Sequence, residues 1–220
     1  MLIVSATRAP GARRVLKPRA SIQRVRRVVV GISGSTGSIY GIRLLERLRE
    51  VADVETHLVI SGPGKRTLVE ETDHTIRQVE ALAHVVHDDR DVGASIASGS
   101  FRTVGMAIVP CSMKTVAALA NSFADTLIAR AGDVTLKEGR PLVAVVRETP
   151  LHAGHLRQML ALAEIGGILL PPMPAFYFRP RTIDDLVDHT VGRILDRLGL
   201  AHGLVPEWPG TGRRIDPVSS

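Results

Sequence analysis

The chain has 220 residues, 45% of them hydrophobic, with a single cysteine, Cys111. That length suits one domain with a full core, the lone cysteine excludes an internal disulfide and fits a reducing, cytoplasmic setting, and no apolar run is long enough to span a bilayer. The formal charge of +6 is confined to one end: Met1 to Arg27 holds eight Lys or Arg and no acid, while the rest carries 20 basic and 22 acidic residues. Aromatics at 3% leave few stacking platforms, which argues against nucleic acid as a partner.

Residues 1–27, with Pro10, Gly11 and Pro18, read as a disordered basic extension, a composition shared with transit peptides. The folded domain is expected over 28–208 and a short tail over 209–220. Val28–Ile32 is a short β-branched run stopped by glycine and predicts a buried strand. Ser38–Arg49 predicts a helix with Ile39, Ile42, Leu45 and Leu48 near one face. Val54–Ile60 predicts a second strand, ending at Ser61. "GPGKRTLVEETD" reads as a turn leading into a helix, and Thr75–Ala83 as a further helix. "DDRDVGASIASGSF" is polar and reads as a long loop. Met106–Ser112 predicts a strand stopping at Pro110, then a helix to about Ser122.

"PLVAVVRETP" predicts another strand, Leu156–Glu164 a helix, and "GGILLPP" a short strand closed by prolines. Thr182–Leu198 is a strong final helix whose apolar face is marked by Ile183, Leu186, Val187, Ile194 and Leu198. Its early "DD" suits the positive end of the helix dipole. Strands alternating with helices predict an α/β fold, a parallel sheet covered on both faces. Ligands of such sheets bind outside the carboxyl ends of the strands. The unusual residues sit at those ends: Gly31 to Gly37, Ser61, Pro110 to Thr115, and Arg147 with Glu148.

The first turn is G-x-x-G-x-x-G, from Gly31, Gly34 and Gly37. It matches neither the dinucleotide fingerprint nor the P-loop. The second strand also ends at Ser61, where a dinucleotide site wants an acidic residue for the ribose. What remains is a backbone-amide cradle with hydroxyls from Ser33, Ser35, Thr36 and Ser38, suited to a mononucleotide such as FMN. In this reading Gly34 keeps space open for the ligand. A glycine-rich turn also serves close packing, so the turn alone does not settle the matter. "PCSMKT" repeats the device, placing Ser112 and Thr115 at a second strand-to-helix junction. Cys111 reads as a buried small hydrophobe. His152 and His155, three apart, suit a helix at least as well as a metal, and no metal-ligand cluster is apparent.

The stretches "GISGSTGSIYGIRLLERL", "ETHLVIS", "ASIASGSF", "VPCSMKT", "DVTLKEGRPLVAVVRETPLHAGHL" and "PPMPAFYFRPRTIDDLVD" resemble the UbiX/Pad family of flavin prenyltransferases, over about Val28 to Trp208. The resemblance implies a Rossmann-like, flavodoxin-like three-layer fold and a homododecamer. It implies alkylation of reduced FMN by dimethylallyl phosphate, first at N5 and then at C6, without a metal. The product, prenyl-FMN, serves UbiD-type decarboxylases acting on a ubiquinone precursor, a phenolic acid or another aromatic acid. It implies that Gly34, Ser35, Thr36, Ser61, Ser112, Met113, Lys114, Thr115 and Arg147 hold FMN. Lys137, Tyr177 and Arg193 match positions that hold the dimethylallyl phosphate, Arg130 and Glu148 match others of that pocket, and Glu71 matches an acid near the reacting flavin edge. Cations and a phenol in a dry pocket would stabilise the leaving phosphate, and a carboxylate near N5 could steer its proton. Taken singly, Lys137 and Arg193 would pass for surface ion pairs.

Two departures from the family pattern stand out: Thr36 where many members have serine, and Gly132 where alanine is usual. Two other functions compete. A flavin-dependent cysteine decarboxylase would not need the Lys137, Tyr177 and Arg193 set. A non-catalytic flavin-binding subunit of an aromatic acid decarboxylase would keep the same cradle without turnover.

Overall fold

The computed structural model describes residues 25–205 and Gly210, so most of the basic extension and of the C-terminal tail lie outside the described residues. Six parallel strands form one sheet in the order β3-β2-β1-β4-β5-β6. They are β1 (Arg26–Ile32), β2 (Val54–Ile60), β3 (Val85–Asp88), β4 (Gly105–Cys111), β5 (Leu142–Val146) and β6 (Ile168–Leu169). The helices are α1 (Ser38–Arg49), α2 (Gly62–Glu71), α3 (Ile76–Glu80), α4 (Met113–Ala120), α5 (Leu127–Lys137), α6 (Ala153–Glu164) and α7 (Ile183–Arg197).

Strand residues alternate between two cores, as a period of two requires. Val28, Val30, Leu58, Ala107 and Val143 pack with α1, α2, α3 and α7 on one face. Val29, Val59, Met106, Ile108 and Ala144 pack with α4, α5 and α6 on the other. The chain steps outward from β1 through β2 to β3, then returns to β4 beside β1 and steps the other way. The strand order therefore reverses between β1 and β4. That reversal opens a crevice at their carboxyl ends.

Several boundaries differ from the sequence reading. β1 begins two residues earlier, because Arg26 and Arg27 pair with Asp53 and Glu55 at 2.7 and 2.8 Å across the β1–β2 ladder. β3 falls partly in the stretch read as a loop; it is a short edge strand with little burial, so it carries no alternating signal. A 3-10 turn, Ser95–Ala97, interrupts the same loop. β4 runs through Pro110 to Cys111, where pairing with β5 shifts register after Ile108. A proline is tolerated at such an irregularity because it removes no ladder bond.

Helix α2 starts directly after Ser61 with no intervening turn, and α3 is only five residues long. The sequence reading assigned no element to α5. Gly132 interrupts its apolar pattern, yet this glycine is where Leu119 of α4 packs closest. Ile183, read as an apolar-face residue of α7, is 79% exposed, because the first turn of α7 overhangs the core.

Helix α1 is held from both sides. Arg43 donates to Asp188 and Asp184 of α7 at 2.6 and 3.0 Å, and Arg47 also reaches Asp188. On its inner side, Gly41 lies so close to the sheet that an added Cβ would overlap the Val109 carbonyl oxygen. Gly41→Ala should therefore cost about 1–3 kcal/mol, the usual penalty of overpacking. Urea denaturation would show a lower midpoint; an unchanged midpoint would contradict this close approach.

Candidate active site

The crevice is stitched by one side chain. Ser33 is 2% exposed, and its hydroxyl donates to the Pro110 carbonyl at 3.0 Å while accepting the Ser112 N–H at 2.8 Å. Its own N–H also donates to Pro110. The Ser33 hydroxyl thus joins β1 to β4 at the wall of the crevice. Ser35 is similarly engaged, donating to the Arg147 carbonyl at 2.8 Å and so tying the β1 loop to the end of β5. Gly34 lines the crevice, but a Cβ there would overlap Pro63. Glycine is required at that position by the packing of α2 against the loop.

Four helix N-termini meet around this crevice, and each has four N–H groups without intrahelical partners. Ser61 caps α2 by accepting from Gly64 N at 3.0 Å. Ser112 caps α4, accepting from Thr115 N at 3.4 Å with the Thr115 hydroxyl 3.1 Å away. Thr126 caps α5, and Asp89 adds a carboxylate bond from Ile128 N at 3.0 Å. A cavity of about 300 Å³ lies between these three ends, lined by Ser61, Ser112, Lys114, Thr115 and Thr126. Met113 opens α4 and packs against the core beneath.

The fourth terminus is already occupied. α1 starts after Gly37, whose φ of 102° lies in the left-handed region that favours glycine. Glu71, at the end of α2, accepts the N–H groups of Gly37 and Ser38 at 2.8 and 3.2 Å. Burial would raise the Glu71 pKa. The nearby Thr36 hydroxyl and those two amides outweigh it and hold the carboxyl below the usual range.

Arg147 follows β5, and its charge opposes the rise that burial gives the Tyr40 phenol. Glu148 is exposed beside it. Arg130 sits in the first turns of α5, paired with Asp133 at 3.1 Å. Lys137 ends that helix, roughly 15 Å from its start at 1.5 Å per residue, and pairs with Glu138 at 2.6 Å. Tyr177 and Arg193 are elsewhere. Arg193 belongs to α7, on the opposite face of the sheet from α5, paired with Asp196 at 2.8 Å. Tyr177 meets His189 of α7, with Oη 3.0 Å from Nε2. The structure therefore gathers the residues assigned to FMN and leaves Lys137 apart from Tyr177 and Arg193.

Sequence reasoning missed Asp89, Asp125 and Thr126, which line the cavity. A signal was present: Thr126 precedes Leu127, Ala131 and Val134 at helical spacing, the pattern of an N-cap before an apolar face. Burial pushes the Asp89 carboxyl up, with Asp125 adding to the rise. Cys111 is fully buried and its thiol is pushed up by burial, so it is an inert core residue. His152 caps α6 and stacks on His155. Among the described residues no group of three or more His, Cys, Asp or Glu could hold a metal ion, and no helix is long and apolar enough to cross a membrane.

A parallel α/β sheet with hydroxyl-capped helix ends around its switch point defines a binder of a phosphorylated ligand, of the mononucleotide kind. The family model described as Flavoprotein matches residues 17–195. The flavin prenyltransferase UbiX of Escherichia coli K12 is 55% identical over 188 residues, covering 84% of this chain and 100% of that one. The crystal structure of a dodecameric FMN-dependent UbiX-like decarboxylase from Escherichia coli O157:H7 matches with a TM-score of 0.81 and 51% identity, over 84% of this chain and 100% of that one. That of AnUbiX (PadA1), in complex with FMN and dimethylallyl pyrophosphate, matches with a TM-score of 0.83 and 49% identity, over 85% of this chain and 99% of that one. The chain belongs to the flavoprotein family and, within it, to the UbiX-like flavin prenyltransferases.

The Glu71 cap has a pH signature. A carboxyl whose folded pKa is depressed stabilises fully above its unfolded value, about 4.3 for glutamate, and loses that contribution as pH falls through the lower folded value. Glu71→Gln should be less stable than the wild type at pH 7, and the gap should close as the solution is acidified through that window. Denaturation midpoints of both proteins against pH measure it. A gap that persists at the acid end would contradict a charged cap.

Proposed function

We infer that the protein is a flavin prenyltransferase, joining the dimethylallyl group of dimethylallyl phosphate to N5 and C6 of reduced FMN. The observation that carries this reading is the presence of two chemically different anion sites in one chain. One is the hydroxyl-capped crevice at β1 and β4. The other is a guanidinium-bearing cavity against α7.

The first site fits the FMN phosphate. Three helix ends, three hydroxyl caps and Lys114 face one cavity, each end carrying partial positive charge. The α1 end holds Glu71 and the α5 end holds Asp89, so the phosphate goes to the ends of α2 and α4. Bound FMN supplies the nucleophilic N5 and C6. Ser61, Ser112 and Thr115 would bind the phosphate, while Gly34, Ser35 and Thr36 shape the loop beside it. Arg147 would hold the flavin from the end of β5.

The donor loses its C1–O bond, and the electron pair leaves on the phosphate. Of the two protons lost at N5 and C6, one reaches C2 of the donor and the other leaves with the phosphate, so the reaction is redox-neutral. Lys137, Tyr177, Arg193 and Arg130 would stabilise the phosphate as its charge develops. Glu148 and Glu71 would be the carboxylates that take up and return protons.

Lys137 and Arg193 lie on opposite faces of one sheet, so one chain cannot bring both to one phosphate. We propose that copies of the chain complete the site for each other in a homododecamer. The product would pass to a UbiD-type decarboxylase in the cytoplasm. A cysteine decarboxylase would have no use for the α7 cavity, and a delivery subunit would show no turnover.

Tyr177→Phe and Arg193→Ala should each keep FMN affinity near that of the wild type. Each should slow prenyl transfer on the order of 100-fold, the usual cost of one donor to a developing oxyanion. Single-turnover formation of the prenylated flavin, beside FMN titration of the same variants, measures both. Wild-type transfer rates in both variants would remove these residues from the donor site.

A further inference from the structure

His189, Arg193 and Asp196 stand at i, i+4 and i+7 on α7, so they share one face of the helix on successive turns. His189 and Arg193 line the cavity of about 310 Å³ against that helix, and Asp196 does not. Asp196 instead holds the guanidinium, its Oδ2 accepting from Arg193 Nη1 at 2.8 Å. Its other oxygen, Oδ1, meets His202 Nε2 at 3.0 Å.

The imidazole is itself fixed. Its Nδ1 accepts the Leu204 N–H at 3.1 Å, which puts the ring proton on Nε2, so His202 donates to Asp196. The His202 side chain is 10% exposed. Gly192 makes room for it: a Cβ there would overlap Val205 and lie 2.9 Å from the imidazole Cε1. Leu200, 4% exposed, roots the segment after α7 in the core.

An Arg–Asp pair on a helix surface is worth little by itself, because two mobile side chains must be ordered together. Here the carboxylate is anchored on its second oxygen by a packed, hydrogen-bonded ring, and the guanidinium gains a fixed place at the cavity. That place has a cost, since a carboxylate beside the guanidinium weakens its field toward a dianionic phosphate. We propose that Asp196 and His202 are positioning residues that aim Arg193 at the leaving phosphate. His202 orients the carboxylate, the carboxylate orients the guanidinium, and neither touches the donor. The inference rests on the prenyltransferase reading and adds these two residues to it. Because Asp196 supplies aim and opposes charge, its loss separates rate from donor binding.

The competing account is that the His202–Asp196 bond only pins the segment after α7 to the helix. That role would lower stability and leave the balance of rate and binding alone. The test is single-turnover prenylation of reduced FMN across a range of dimethylallyl phosphate concentrations, under anaerobic conditions. It compares the wild type with Asp196→Asn, His202→Phe and His202→Gln, beside FMN titration and urea denaturation of each. Asp196→Asn should lower the limiting rate about tenfold, with FMN affinity unmoved and the half-saturating donor concentration level or lower. His202→Phe keeps a ring without the donor and should also lose about tenfold in limiting rate. His202→Gln keeps an N–H for Asp196 and should recover most of that loss. Wild-type limiting rates in Asp196→Asn and His202→Phe, equal losses in both His202 variants, a half-saturating concentration that rises in Asp196→Asn, or losses that track the urea midpoints overturn the inference and leave the prenyltransferase reading intact. A wild type that makes no adduct overturns both.

Discussion

The hydroxyl of Ser33 is the joint on which the site depends. It accepts from one side of the crevice and donates to the other, linking the ends of β1 and β4 where the strand order reverses. Everything that faces the cavity hangs from those two strands or from the elements beside them. Ser61 follows β2, whose end is tied back to β1 by the Ser61 N–H on the Ile32 carbonyl. Ser112 and Thr115 follow β4, and Arg147 follows β5. A buried hydroxyl with both functions satisfied stabilises the junction, whereas removing it would leave the Ser112 amide without this partner at a cost of about 1–3 kcal/mol, the Pro110 carbonyl keeping the Ser33 N–H.

The distribution of charge around the crevice follows from this arrangement. Four helices point their positive ends at one region, and carboxylates already cap two of them, Glu71 at α1 and Asp89 at α5. These acids sort the termini: Glu71 locks the glycine loop onto α1, and the ends of α2 and α4 are left without a carboxylate partner. Gly34 and Gly41 serve the same geometry from below, since each lets a helix approach backbone more closely than any side chain would permit. The glycine-rich turn is thus packing and cradle at once.

Much of this was legible in the sequence. The strand and helix periods placed the parallel sheet, and the clustering of glycine and hydroxyl residues after each strand placed the site. The misreadings have physical causes. Sequence does not reveal the second duty of Ser33, whose O–H donates to Pro110 and whose oxygen accepts from Ser112. Edge strand β3 has no buried side and so no pattern. Helix α5 was hidden by Gly132, whose purpose is visible only once Leu119 is seen beside it. The placement of Lys137 and Arg193 on opposite faces was likewise beyond sequence, because it depends on which way each crossover turns. The resemblance to UbiX-like proteins covered the residues but not their separation.

The central claim is that this chain makes a new carbon–nitrogen and a new carbon–carbon bond to flavin. The most direct measurement is the mass of the flavin after anaerobic incubation of the wild-type protein with reduced FMN and dimethylallyl phosphate, with no decarboxylase present. The account predicts conversion to a species heavier by one five-carbon prenyl unit, with release of one phosphate for each flavin converted. Recovery of unmodified FMN alone, from protein shown to bind it, would contradict the account.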